Sequence, residues 1–486
     1  MVRLDAEADL NLKWVYGRAE TQDFKQWRAR RSSTAASTSA GRQKKAVIFL
    51  QGPEPAAALA RSFQSLVGQT HQNWRLCAVS PTAEQASWLA AQADSRLSIG
   101  ESALIEGSDE VGFIAFLAPG DTLVDHALAC IQAYFDRHPA EAIAYTDEVR
   151  SDSSGVLKPI FKPDWSPVRQ AFAPYVGRSA FVRGSVAARL GVASGPPERW
   201  IDGLLRRFDP SEVGHIRRPL VSVNRPVVVV ARSLDSRVQP GGGSPTVGIV
   251  IPTRDRLDLL VPCLESLLQK TRYSAFETIV VDNGSSDPRT IAWLDHLKQR
   301  DARVSVVSKT GDFNFSDLCN FGAASLQSEF ILFLNNDTEV QQADWLDNLL
   351  QFACLPDVGA VGAKLLYPNG RVQHAGVVLG MGGVAGHFGE GAGPDDAGWL
   401  GGSIVPHEVS AVTAACLMVA RQKFEEVGGF DAVNLPVDLN DIDLCLRLAE
   451  RGWQTICDCR TTLLHRQSAS RGGGALRLQK VYARER

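Results

Sequence analysis

The chain has 486 residues, 44% of them hydrophobic and 22% charged, and a formal net charge of −3. That length favours two or three domains with separate cores, and the near-neutral charge gives no case for nucleic acid as a partner. Nine scattered cysteines without a Cys-x-x-Cys pair point to reduced thiols in a cytosolic protein rather than a disulfide framework. No signal peptide is visible, and no apolar run approaches the ~18 residues of a membrane-spanning helix.

Residues 1–43 read as an N-terminal extension, with a short helix at 23–31 and a Ser/Thr/Ala-rich linker at 32–40. Expected next are a strand at 45–50, a helix at 55–67, strands at 74–79 and 113–117, and a helix at 123–138. This βαβ-like succession argues a parallel sheet. The stretch 239–245, Gln-Pro-Gly-Gly-Gly-Ser-Pro, has linker composition, since Gly and Pro at that density interrupt ordered elements. Beyond it the pattern begins again, with a strand at 247–251, a helix at 259–268, strands at 277–281 and 303–307, and an apolar run at 330–334. Both halves follow the order strand, helix, strand, and strand ending in an acid, at Asp121 and Asp337, so the chain reads as a tandem repeat. The expected domains are 44–238 and 246–472, followed by a basic tail at 473–486. The basic residues near both ends could touch an anionic membrane surface or simply be solvated.

The run Phe330 to Leu334 is too short for a helix and too continuous for a half-exposed strand, so it reads as buried on both faces. It ends in Asn335-Asn336-Asp337. Oxygen donors at the carboxyl end of a parallel strand sit where open α/β sheets bind ligands, and they suit Mg2+ or Mn2+. An Asx turn would explain the same residues. Val280-Val281-Asp282-Asn283-Gly284-Ser285 and Ile251-Pro252-Thr253-Arg254-Asp255 close two neighbouring strands with polar groups at that edge. Asn314 and Asn320 add carboxamides close by. Asp441 opens a helix, where it either caps the macrodipole or serves as a base. His465 and Arg471 follow a later strand and offer an imidazole ligand and a phosphate partner. The Gly-rich stretch from 359 to 402 reads as a long loop that closes over the ligands, with His374 either functional or packed in a hairpin.

Taken together these segments resemble family 2 of the inverting nucleotide-sugar glycosyltransferases, the tandem form found in bacterial O-antigen and polysaccharide assembly. The resemblance spans 246–472 and is carried by Val-Ile-Pro-Thr, Val-Val-Asp-Asn-Gly-Ser-Ser-Asp, Phe-Leu-Asn-Asn-Asp-Thr, Asn-Asp-Ile-Asp-Leu-Cys-Leu-Arg and His-Arg-Gln-Ser-Ala-Ser-Arg-Gly. It implies an α/β protein of two GT-A domains, Rossmann-like with mostly parallel sheets. It implies that Pro252, Thr253, Asp255, Asp282, Asn283, Asn314, Asn320, Asn335, Asn336 and Arg471 bind the nucleotide sugar. Asp337 and His465 would hold a divalent cation, Mg2+ or Mn2+, and Asp441 would be the catalytic base. Two departures stand out: Asn335 replaces the first acid of the metal motif, and Asn440 replaces the Glu of the base motif.

The implied partners are a UDP- or dTDP-linked hexose or deoxyhexose as donor and a surface glycan or lipid-linked glycan as acceptor. Peripheral contact with the inner face of the cell membrane and with other polysaccharide-assembly enzymes would fit that work. The first half matches less well, with Val79-Ser80-Pro81 where a nucleotide-binding acid is expected and Asp202 near the base position. It reads as a degenerate, inactive copy. A non-catalytic nucleotide or glycan binder on the same folds is the alternative from a different class.

Overall fold

The computed structural model describes residues 44–100, 110–151, 157–191, 196–224, 244–381 and 384–466. The N-terminal extension, residues 239–243 of the linker, Arg471 and the basic tail lie outside the described residues. The chain divides into two compact units, Met1–Val230 and Ala231–Arg486.

The described part of the first unit contains strands β1 (Lys45–Leu50), β2 (Trp74–Ala78), β3 (Leu97–Ile99), β4 (Val111–Leu117), β5 (Thr122–Leu123), β6 (Ile143–Ser151), β7 (Leu157–Ile160), β8 (Ala180–Arg183) and β9 (Val213–Val223). They form one sheet in the order β3-β2-β1-β4-β8-β6-β9-β5, with β7 beside β6. Helices Ala56–Val67 and Ala127–Arg137 place Leu59, Phe63, Leu66, Leu128 and Ile131 in the core on this sheet.

The second unit begins with β10 (Val247–Thr253), β11 (Phe276–Asp282), β12 (Val304–Ser308), β13 (Phe330–Leu334) and β14 (Thr338–Val340). It continues with β15 (Val358–Leu366), β16 (Val372–His374), β17 (Val377–Leu379), β18 (Ala385–His387), β19 (His407–Val409), β20 (Cys416–Ala420) and β21 (Gln454–His465). The main sheet runs β12-β11-β10-β13-β20-β15-β21-β14, with β16 beside β15 and β19 beside β21. Along this eight-strand path the order of the first sheet is repeated, β19 being an addition, so the tandem arrangement and the α/β class expected from the sequence hold.

Strands β12, β11, β10 and β13 are parallel, and β20 inserts antiparallel between β13 and β15. Every residue of β10 and of β13 is buried, which is why both read as unbroken apolar runs rather than alternating ones. Phe333 packs edge-on against Phe430 with ring centroids 4.8 Å apart. The stretch expected as a closing loop is not structureless. It begins with β15, a nine-residue strand of Val-Gly-Ala-Val-Gly-Ala-Lys-Leu-Leu in the middle of the sheet. Gly359 and Gly362 obscured that strand, and packing forces the second of them: a Cβ at Gly362 would sit 2.6 Å from Val412 Cβ.

Candidate active site

The parallel strands β10, β11 and β13 all end at one edge, and their register aligns Thr253 with Asp282. Two tight turns are built there. Asp255 and Arg256 both have left-handed backbone, with φ of 51° and 50°, and the Asp255 carboxylate accepts from the amides of Ser286 and Asp287 at 2.8 Å each. Those amide bonds hold the Asp255 carboxyl below the usual carboxylate range. Asp282 accepts from the Ser285 amide at 3.0 Å and the Ser285 hydroxyl at 2.5 Å, and the Asp255 amide donates to the same hydroxyl at 2.7 Å. The two acids therefore knit the ends of β10 and β11 into one rim, with Pro252 buried inside β10. Asn283 donates through Nδ2 to the Lys309 carbonyl at 2.8 Å. Its Oδ1 is buried and has no hydrogen-bond partner among the described residues, an acceptor left open beside the rim.

Asn314 and Asn320 serve the scaffold. Asn314 caps helix Phe315–Ala324 by accepting from the Asp317 amide at 2.9 Å and donates to the Ala432 carbonyl at 2.8 Å. Asn320 pairs with both backbone groups of Phe430, at 2.8 and 2.9 Å. Each carboxamide is consumed in holding the segment before the Asp441 helix against this one.

The loop after β13 is where the remaining residues meet. Asn336 Nδ2 donates to Thr253 Oγ1 at 2.9 Å, tying the loop to the end of β10. Thr338, opening β14, pairs with His465, closing β21, which brings His465 Nε2 to 3.1 Å from Asp337 Oδ1 and 3.3 Å from Asn335 Nδ2. His465 Nδ1 lies 2.6 Å from Gln373 Oε1. An amide oxygen only accepts, so Nδ1 donates to it and Nε2 is the nitrogen turned towards Asp337. A carboxylate oxygen and an imidazole lone pair at that distance call for a shared proton or cation, and the donor set fits a divalent ion. Among the described residues no group of three metal-ligating side chains forms. Two protein ligands would leave the remaining positions to phosphate oxygens and water, the usual pattern for Mg2+.

Asp441 is the second residue of helix Asn440–Glu450, entered through Leu439 in left-handed backbone with φ of 62°. Its Oδ2 accepts from the Ala414 amide at 3.1 Å and its Oδ1 from the Ile442 amide at 2.9 Å. Asn440 donates to Ser316 Oγ at 2.8 Å and is buried. The next residue after Ala414 supplies the other half of the site, because the Ala415 carbonyl accepts from the Asn335 amide at 3.1 Å. Adjacent residues leading into β20 thus hold Asp441 and the loop that carries Asp337.

Within this arrangement, residues 248–389 match the family description "Glycosyl transferase family 2". Over 404 residues, 75% of this chain, the protein is 36% identical to the O-antigen biosynthesis protein RfbC of Myxococcus xanthus, of which that alignment covers 31%. An uncharacterized protein of Sinorhizobium fredii is 33% identical over 483 residues, 88% of this chain and 53% of its own length. The chain thus spans about half or less of the curated relatives it matches. A solved mannosyltransferase from Pyrobaculum calidifontis, in complex with GDP-Man and Mn2+, is similar at 18% identity and a TM-score of 0.38, covering 50% of this chain and 62% of that one.

The match ends at residue 389, before Asp441, which bonds to the Ala414 amide, and before His465, whose strand pairs with β14. Gln373, Ala414 and Ala415 were not singled out as site residues from the sequence. His374 is fully buried, with Nδ1 2.8 Å from His387 Nδ1. Burial and the neighbouring imidazoles drive it well below the usual histidine range. His387 is likewise lowered by burial, and the Asp441 charge opposes that shift. No helix among the described residues is long and apolar enough to cross a membrane.

Proposed function

We propose that the second domain, 246–472, is an inverting glycosyltransferase that moves a hexose or deoxyhexose from a UDP- or dTDP-sugar to a hydroxyl of a growing surface polysaccharide or lipid-linked glycan. The observation that supports the reading is the double anchorage at the adjacent Ala414 and Ala415, the first bonded to Asp441 and the second to the Asn335 amide in the loop that carries Asp337. Asp441 stands in the first turn of its helix, and two backbone amides donate to its carboxylate. In this reading Asp441 takes the proton of the acceptor hydroxyl as its oxygen bonds to the anomeric carbon, while the bond from that carbon to the diphosphate oxygen breaks on the opposite face. The electron pair leaves with the nucleoside diphosphate, and one such displacement inverts the centre.

Asp337 and His465 would hold a divalent cation, which when bound neutralises the charge developing on the diphosphate. Thr253 and Asp282 stand at the rim where nucleoside would lie. The first domain, 44–238, is read as a non-catalytic copy that supports the acceptor side. The deciding experiment is a screen of UDP- and dTDP-sugars that follows nucleoside diphosphate release with Mn2+ or Mg2+. One productive donor is expected, with Asp441→Asn lowering turnover by about 10² to 10⁴-fold while donor binding persists. Full turnover by Asp441→Asn would refute the assignment, and binding without turnover of any donor or acceptor would favour a binding protein.

A further inference from the structure

The identical strand order lets the two domains be compared position by position. Asp121 directly precedes β5 as Asp337 precedes β14, and Thr122 faces Ser222 where Thr338 faces His465. The imidazole ligand therefore has no counterpart in the first domain. The antiparallel register of β4 with β8, continued past the strand ends, sets Arg178 opposite Ala118, and that of β13 with β20 sets Ala415 opposite Asn335. Helix Pro197–Leu205 lies between β8 and β9 in the chain as helix Asn440–Glu450 lies between β20 and β21. The second residues of these helices are Glu198 and Asp441.

Arg178 joins those counterparts. Its Nε and Nη2 donate to the two oxygens of Asp121 at 2.5 and 2.8 Å, and its Nη1 donates to Glu198 Oε1 at 3.1 Å. Asp121 is fully buried and also accepts from the amides of Ala118 and Asn224 at 2.8 Å each. A planar, permanently charged guanidinium bound bidentately is the arrangement in which a buried carboxylate is best satisfied. Where the second domain has the methyl group of Ala415 and an open edge, the first has a cation of its own covalent chain.

We infer that Arg178 is the first domain's built-in replacement for the divalent cation, so that this domain binds neither metal nor a metal–diphosphate and the protein takes up metal only through its second domain. The inference rests on the proposed function solely for what Asp337 and Asp441 do. Without Arg178 the acids Asp121 and Glu198 would face each other uncompensated, the charge pattern a divalent cation satisfies.

The experiment is a Mn2+ titration of the full chain, with bound ion counted by electron paramagnetic resonance. One bound Mn2+ is expected in the wild type, lost in Asp337→Asn and unaffected by Asp121→Asn. Arg178→Ala is expected to bind one ion more than wild type, and Arg178→Ala/Asp121→Asn to lose that extra ion. A wild-type site abolished by Asp121→Asn would overturn the inference, as would a folded Arg178→Ala with no extra ion. Should Arg178→Ala fail to fold, the wild-type and Asp121→Asn titrations still decide. A wild type that binds no ion would count against the second-domain reading, whereas an Asp121-dependent ion gained in Arg178→Ala would still support this one.

Discussion

Gln373 Oε1 receives the Nδ1 proton of His465 at 2.6 Å, and this bond fixes which nitrogen of the imidazole faces Asp337. Gln373 lies in β16, which pairs with the end of β15, and is buried at 3% exposure. Its bond to His465 spans the sheet from one hairpin to another strand's last residue. Residues that orient a metal-binding histidine in this way affect affinity by about 10- to 100-fold.

Gln373→Leu should therefore weaken Mn2+ binding by about that factor, and Gln373→Glu, which keeps an acceptor, should retain most of it. Direct Mn2+ titration measures this without reference to turnover. If turnover is followed as well, the Leu variant should recover at high metal concentration, because Asp441, Thr253 and Asp282 are untouched. Equal Mn2+ affinity in wild type and Gln373→Leu would remove Gln373 from the site.

The bond from Asn336 Nδ2 to Thr253 Oγ1 makes a separate, smaller prediction. A side-chain hydrogen bond of this kind contributes about 0.5–1.5 kcal/mol, or roughly 2- to 10-fold in an equilibrium. Thr253→Val keeps the shape of β10 and removes the acceptor, so KM for the donor should rise within that range while kcat stays close to wild type. A large loss of kcat with unchanged KM would place Thr253 in the chemistry rather than in donor binding.

What the sequence made legible follows from how each signal arises. Phe330 to Leu334 was readable because burial on both faces leaves an unbroken apolar run, and Asp337 because it closes that run. Asp441 and His465 came from the family resemblance, since neither a helix-start acid nor a lone histidine is distinctive by itself. The strand over β15 was hidden because close packing by Val412 demands glycine at 362 and Leu448 crowds Gly359, and two glycines imitate a loop. In the first domain Asp202 sits too deep in its helix and bonds Gln170 at 3.0 Å, whereas Glu198 holds the first-turn position. Arg178 was invisible because its meaning lies in a register between strands 57 residues from Asp121 in sequence.

Gly322 tests how closely the nucleotide rim is backed by its helix. It lies within helix Phe315–Ala324, where Ala would normally be favoured by about 1 kcal/mol. A Cβ there would overlap Val250 Cγ1 of β10 and approach Val281 Cγ2 of β11 to 2.9 Å. Overpacking costs about 1–3 kcal/mol, so Gly322→Ala should destabilise despite its propensity, as read from a denaturant midpoint. A neutral or stabilised variant would mean that the helix stands further from the strands.

The two domains should respond to pH with opposite signs through single histidines. His374 is buried and its folded value lies well below its unfolded 6.5, because burial disfavours the imidazolium. The unfolded chain then binds a proton that the folded one refuses, so stability falls as pH drops through 6.5 towards the folded value, by up to about 1.4 kcal/mol per pH unit. His215 is the reverse case. Burial lowers it, but its bonds to Asp147 and Asp164, at 3.0 Å each, outweigh that and leave it raised above 6.5. Its contribution is complete below pH 6.5 and disappears as pH rises through the folded value. Melting curves between pH 5 and 8 should show His374→Gln losing less stability on acidification than wild type does. His215→Gln should give up stability mainly at the acidic end. The same pH profile in wild type and both variants would show that neither imidazole is linked to folding in this way.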